Sequence, residues 1–394
     1  MKTAGIIAEY NPFHTGHAWQ LAELRRRGAD AVVCAMSGNF VQRGEAAVVR
    51  KHVRAEAAVR GGADLVLELP LPWASASAEA FAKGGVEVLA GTGVVDTLAF
   101  GSECADTRRL ARVADALSSD AFAAALKAEL AKGDSFAAAR QRAAETLCGA
   151  DAAALSQPND ILGAEYCKAL RGSGVTPLAL PRMGAAHGGE AADGFASASY
   201  LRERLAAEQL PTEYLTPDML RLYEQERGAG RAPVTLQPLE RAILAKLRTM
   251  TEGGFAAYDE GHEGLYHRFY DASRRATGLD ELLDAVKTKR YAHARLRRMA
   301  LAMFLGVQPS DRPENVPYIR VLAMNDKGKS LLHEMREKAA LPVLVKPADA
   351  RKLSAAAARL MEIEARATDL YALAYPDLRQ SAGGSEWTTG PVIV

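Results

Sequence analysis

"GIIAEYNPFHTGHAWQ" (residues 5–20) runs from a short apolar stretch through a proline-containing turn to two histidines that flank Thr15 and Gly16. Strand, turn and helix start in so few residues make the opening unit of a parallel sheet, and the chain repeats the pattern. "AVVCAM" (31–36), "DLVLEL" (64–69) and "VDTLAFG" (95–101) are further runs of strand length, separated by alanine-rich stretches with helical spacing around 17–27, 50–61 and 75–90. This alternation predicts an α/β fold built on a Rossmann-like parallel sheet, covered by helices, with its ligand at the carboxyl ends of the strands.

Outward from that core, residues 106–172 read as helices and "VTPLALPRMG" (175–184) as one more strand. Glycines crowd 184–194, and "FASASYLRERL" (195–205) starts a helix with serines near its cap. From about 206 the texture changes to long charged helices, 237–250, 263–276 and 279–306, with little strand signal. The reading is therefore a domain at 1–205 followed by a mainly α-helical domain at 206–394. The tail "SAGGSEWTTGPVIV" (381–394) is weakly patterned and is expected to be loosely held.

A chain of 394 residues with a formal net charge of +1 carries no global field toward nucleic acid or membrane, so any polyanion site must come from a local cluster. Cys34, Cys104, Cys148 and Cys167 are scattered without metal spacing, which argues for reduced thiols rather than a zinc site or a disulfide framework. The first apolar run is too short for a signal peptide and no stretch reaches membrane-spanning length. A cytoplasmic location is expected.

In the opening stretch the turn Asn11-Pro12-Phe13 ends the strand and the next helix begins close to Gly16 and His17. Two imidazoles and the free amides of a helix start then face the carboxyl edge of the sheet, an anion pocket. Phosphate chemistry needs donors aimed at charge that develops on transferring oxygens, and this constellation supplies them. The plain alternative is a pair of ordinary helix-start residues; the strand-turn-helix context favours the pocket. Arg182 leaves the strand at 175–184 toward the same edge. The polar loop "SGNFVQRGE" (37–45), with Ser37, Asn39, Gln42, Arg43 and Glu45, reads as facing substrate. A basic run, Lys287, Lys289, Arg290, Arg295, Arg297 and Arg298, has no acidic residue within it and is interleaved with Tyr291 and His293. It suits RNA phosphates with aromatics to stack on exposed bases, or else is the wet face of a helix seated by Leu296 and Met299. No GxSxG elbow or cysteine–histidine pairing offers a covalent nucleophile.

"NPFHTGH" resembles the HxGH signature of the nucleotidyltransferase superfamily. In order along the chain, "EYNPFHTGH", "MSGNFVQRGEAAVV" (36–49), "GADLVLELP" (62–70), "FGSE" (100–103), "QPNDILGAEY" (157–166), "PRMGAAH" (181–187), "ASASYLR" (196–202), "KTKRYAHARLRRM" (287–299) and "PYIRVLAMN" (317–325) are similar to the bacterial tRNA(Met) cytidine acetate ligase family. The resemblance implies a HUP-type core that binds ATP through Ile7, Ala8, Glu9, Tyr10, Asn11, Pro12, Phe13, His14, Thr15, Gly16, His17, Ala18, Trp19 and Gln20. His14 and His17 are then the catalytic pair on the phosphates, joined by Gly101, Asn159 and Arg182. Asn159 also reads as a helix cap. Ser197, Ser199 and Arg202 stand at a second helix start, although Ala196 and Ala198 depart from the usual superfamily pattern there. His187 sits in the glycine-rich loop without an assigned role.

The implied reaction activates acetate as acetyl-adenylate with release of pyrophosphate, then passes acetyl to N4 of the wobble cytidine of elongator tRNA(Met). Magnesium is expected with the triphosphate, held largely by phosphates and waters, since the sequence shows no dedicated carboxylate cage. Elongator tRNA(Met) and acetate are the expected partners, with no membrane and no obligate protein partner. The rival readings are a nucleotidyltransferase acting on a small phosphorylated metabolite, and a nucleotide-sensing or RNA-binding module without turnover.

Overall fold

The structure, a computed structural model, describes residues 1–133, 135–182, 194–259 and 264–394. Its strands are β1 (Thr3–Ala8), β2 (Ala31–Ser37), β3 (Phe40–Val41), β4 (Glu45–Ala46), β5 (Leu65–Leu69), β6 (Thr97–Ser102), β7 (Thr176–Pro181), β8 (Ile319–Met324), β9 (Val343–Leu344) and β10 (Val392–Ile393). All but β3 and β4 form one sheet in the order β10-β8-β5-β2-β1-β6-β7, with β9 beside β8; β3 and β4 pair as a separate antiparallel hairpin.

The parallel heart is β5-β2-β1-β6-β7, in which Ile6 faces Cys34 on one side and Ala99 on the other. Val32, Val33, Cys34 and Ala35 are fully buried, as continuous apolar strands must be when helices cover both sheet faces. Strand order reverses at β1, so the crevice beyond its carboxyl end lies at the topological switch point. The helix Thr15–Arg26 leaves from that point, and the helices Lys51–Arg60, Ala78–Ala90 and Pro158–Ala169 complete the crossovers.

After residue 206 the chain first stays with the sheet, where Leu215, Met219, Leu222, Tyr223 and Ala232 pack in one core with Ile6 and Cys34. From Val234 it builds a second core around Leu247, Phe255, Phe269, Leu282, Leu296 and Met303, into which Phe40 and Leu71 reach from the sheet side. The expected helix over 279–306 is two helices, Leu279–Val286 and His293–Leu305. Between them Lys287 turns extended and its ammonium bonds the carbonyl of Tyr291, while Tyr291 buries its ring in the second core. Residues 287–290 have no apolar side chain to carry a helical face across the gap, so the helix stops.

From residue 316 the chain returns to the sheet, which the texture after 206 did not announce. β8 adds antiparallel to β5, and β10 adds parallel to β8. The tail is not loosely held, because Glu386 in the short helix Ser385–Thr388 is buried in an ion cluster described below. No helix among the described residues is long and apolar enough to cross a membrane.

Candidate active site

A cleft of about 730 Å³ opens beyond the carboxyl ends of β1, β6 and β7. Its lining includes Ile7, Ala8, Glu9, Tyr10, Asn11, His14, Gly16, His17, Trp19 and Gln20 from the opening stretch. Pro12, Phe13, Thr15 and Ala18 do not line it. Phe13 is fully buried and supports the rings of Tyr10 and His17 at 5.0 and 5.7 Å. Thr15 is spent on the turn, where its amide donates to the Tyr214 carbonyl at 2.9 Å.

His14 is the N-cap of the helix Thr15–Arg26. Its Nδ1 accepts from the Gly16 amide at 3.1 Å, and Nδ1 of His17 accepts from the His14 amide at 3.3 Å. This reciprocal box takes up the His14 and Gly16 amides, while the Thr15 amide goes to Tyr214 and those of His17 and Ala18 to the His14 carbonyl. The free amides expected of this helix start are therefore not available to a ligand. The box also sets both tautomers. An Nδ1 that accepts carries no proton, so the hydrogen of each neutral ring is on Nε2. The rings stack with centroids 3.7 Å apart. Burial first, and then the nearby Arg182 guanidinium, push His14 down to about 3. His17 is held well below the usual histidine range by burial, His14 and Arg182. The pair therefore presents uncharged donors at neutral pH. Gly16 serves this pair, since a Cβ there would lie 2.9 Å from His14 Cε1.

Arg43, Arg182, Arg202, Arg297 and Arg298 line the same cleft, against Glu9 as its lining carboxylate. Glu9 is raised, chiefly by burial, and accepts from the Gln42 amide at 3.0 Å. Ser197 caps the helix Ala198–Ala206 by accepting from the Tyr200 amide. Ser199 Oγ accepts from Arg43 at 3.0 Å and from Arg202 at 3.3 Å, so the second helix start holds arginines rather than standing bare. On the far wall Gly101 leaves open space where a Cβ would be, and Phe100 and Tyr166 pack at 5.4 Å beside Ile161 and Leu162. Both contributing segments, 100–103 and 157–166, stand out as motifs in the sequence, but that these apolar side chains meet beside Gly101 depends on packing that spacing does not show.

Asn159 lines the cleft but does not cap its helix, which begins at Pro158 with Gln157 as N-cap and no side-chain cap bond. Its amide instead donates to Glu103 at 2.6 Å, and Arg182 lies 3.7 Å from the same carboxylate. Glu103 thus ties two expected site residues together. Of the polar loop, Gln42 and Arg43 reach the cleft. Asn39 instead accepts from the Lys51 amide at 2.9 Å, and Ser37 is fully buried, so those two are structural. His187 lies outside the described residues.

Arg297 and Arg298 are the members of the basic run that reach the cleft. Lys287, Lys289, Arg290 and Arg295 lie away from its lining, with Arg295 over the Tyr291 ring at 5.0 Å. Because Tyr291 is 5 % exposed, its ring cannot stack on an RNA base; His293 is the accessible aromatic of the run. The carboxylate trio Glu68, Glu364 and Glu386 is buried among Lys51 and Arg320, and none of the three lines the cleft.

Residues 1–386 match the family described as HIGH Nucleotidyl Transferase. The tRNA(Met) cytidine acetate ligase of Acetivibrio thermocellus is 36% identical over 415 aligned positions, covering 100% of both chains. That of Caldanaerobacter subterraneus subsp. tengcongensis is 37% identical over 95% of this chain and 96% of its own. Among solved structures, Thermotoga maritima TmcAL bound with alpha-thio ATP superposes with a TM-score of 0.92 at 33% identity, covering 100% of both chains. Its apo form gives 0.94 at the same identity and coverage.

Proposed function

The chain belongs to the HIGH nucleotidyltransferase family, and we propose that its cleft makes it a tRNA(Met) cytidine acetate ligase that uses ATP. The observation that carries this reading is the neutral, Nε2-protonated histidine pair facing a five-arginine cleft at the switch point of the sheet.

In the first step an acetate oxygen attacks the α-phosphorus of ATP. The bond from that phosphorus to the bridging oxygen breaks and pyrophosphate leaves. Negative charge grows on the bridging and non-bridging oxygens, and the two Nε2–H groups and the guanidiniums are fixed donors for it. Neutral imidazoles suit this role because they donate without needing a proton from solvent. In the second step N4 of the cytidine attacks the acetyl carbon, the bond from that carbon to the phosphate oxygen breaks so that AMP leaves with its electron pair, and the proton shed by N4 passes to water. The adenylate supplies the leaving group, so no side-chain nucleophile is required. His14 and His17 are the proposed catalytic residues. The cleft-lining members of 7–20, with Gly101, Asn159, Arg182, Ser197, Ser199 and Arg202, form the proposed ATP site.

Among the described residues Glu9 is the carboxylate that lines the cleft, and it accepts from the Gln42 amide and lies near Arg202, so magnesium bound with the triphosphate would be held largely by phosphates and waters. The protein's own countercharge is arginine. We assign tRNA to the helical part of the proposed 206–394 domain, where Lys287, Lys289, Arg290 and Arg295 lie outside the cleft, and we place the enzyme in the cytoplasm, consistent with its four free thiols.

Exchange of labelled pyrophosphate into ATP tests the first step. Exchange that depends on acetate is expected; exchange that ignores acetate, or none with or without tRNA, would contradict the assignment.

A further inference from the structure

The helix His293–Leu305 carries part of the basic run, yet its face toward the sheet is part of the cleft. Ala294, Arg297 and Arg298 line it, at the i, i+3 and i+4 positions that share one helix side. Two further contacts fix this placement. A Cβ on Gly44, whose φ is +73°, would lie 2.7 Å from the backbone nitrogen of Arg298, so the β3–β4 turn is seated directly on the helix. Arg298 donates to the Gln42 carbonyl at 3.3 Å.

Charge links the two sides as well. Glu45 accepts from Arg297 at 2.9 Å and lies 3.3 Å from Arg202, so one carboxylate holds an arginine of the sheet domain and one of the helical part as a pair. Arg202 also shares Ser199 with Arg43. Guanidiniums spaced by one carboxylate are pre-set for an oxyanion of similar bite, such as a phosphate.

Resting on the ligase reading above, we propose that Arg297 and Arg298 bind the polyphosphate of ATP and the departing pyrophosphate in the first step, and are not confined to RNA capture. Adenylate formation then depends on the helical domain even when no RNA is present. The basic run thereby divides in two, with Arg297 and Arg298 facing the nucleotide and the remaining members facing away from it.

Acetate-dependent pyrophosphate exchange with RNA omitted provides the test, comparing the full-length protein with R297A and with R298A, each checked by its melting curve. The Arg297 side chain is 38% exposed, so R297A leaves the core untouched and decides alone if R298A fails to fold. The expected result is a rise of about ten-fold or more in KM for ATP or pyrophosphate, the loss of one charge-assisted hydrogen bond. Exchange at wild-type KM in R297A, whether or not tRNA acetylation has collapsed, overturns the inference alone. No acetate-dependent exchange by the wild-type protein overturns the ligase reading and this inference with it.

Discussion

At the scale of single residues, the histidine pair shows how one local arrangement can serve both folding and chemistry. The Nδ1 atoms close the helix start and the Nε2 hydrogens are left for ligand. Since His14 is pushed down to about 3 and His17 is also lowered, kcat/KM for ATP should show no histidine limb near about pH 6.5. A limb there that disappears in H14N would contradict neutral imidazoles. Gly16→Ala presses on His14 Cε1, so KM for ATP should rise in steady-state assays while the melting temperature moves little. The motif itself was legible because strand, turn and helix start adjoin in sequence. The tautomer and the role of Glu103 were not, since both depend on contacts that spacing alone does not reveal.

Among elements, the β3–β4 hairpin is the joint between sheet and helical part. Gly44 is required there twice, by its left-handed φ and by the helix backbone against it. Gly44→Ala should cost on the order of 1–3 kcal/mol in urea unfolding and raise KM for ATP by moving Arg297 and Arg298. A variant of wild-type stability and KM would show that the joint is slack. Replacing Lys289 and Arg290 together with alanine should weaken tRNA binding and lower the slope of log affinity against log salt by about 2. An unchanged slope in filter-binding titrations would remove this pair from the RNA surface. The parallel strands and their helices were readable from apolar runs alternating with helical spacing. The break at 287–292 was not, because Tyr291 looks like part of a surface run until the second core is seen to take it.

For the molecule as a whole, the chain end is fastened by buried charge. Lys51 and Arg320 sit between Glu68 and Glu386, Thr368 donates to Glu386 at 2.7 Å, and the Leu71 amide donates to Glu364 at 2.6 Å. Removing one partner leaves the others uncompensated, so Glu386→Ala should cost about 3–5 kcal/mol by denaturant titration. Burial and the neighbouring carboxylates raise Glu364 from 4.5 to about 8. A raised carboxyl binds more protons folded than unfolded, so its contribution falls as pH rises between about 4.5 and about 8. Glu364→Gln should flatten the wild-type decline of melting temperature across that window; parallel curves would place the proton elsewhere. Nothing in the sequence marked this cluster, because its members come from distant segments and buried charge has no local pattern. The same long-range closure hid the return of β8 and β10 to the sheet.

The most direct measurement of the central claim is transfer of label from acetate to unmodified elongator tRNA(Met) by the purified protein with ATP, followed by mapping to a nucleoside. The account predicts ATP-dependent label on N4 of the wobble cytidine, abolished when His14 and His17 are both alanine although tRNA still binds. Label that persists in the double variant, or label elsewhere in the RNA, would contradict it.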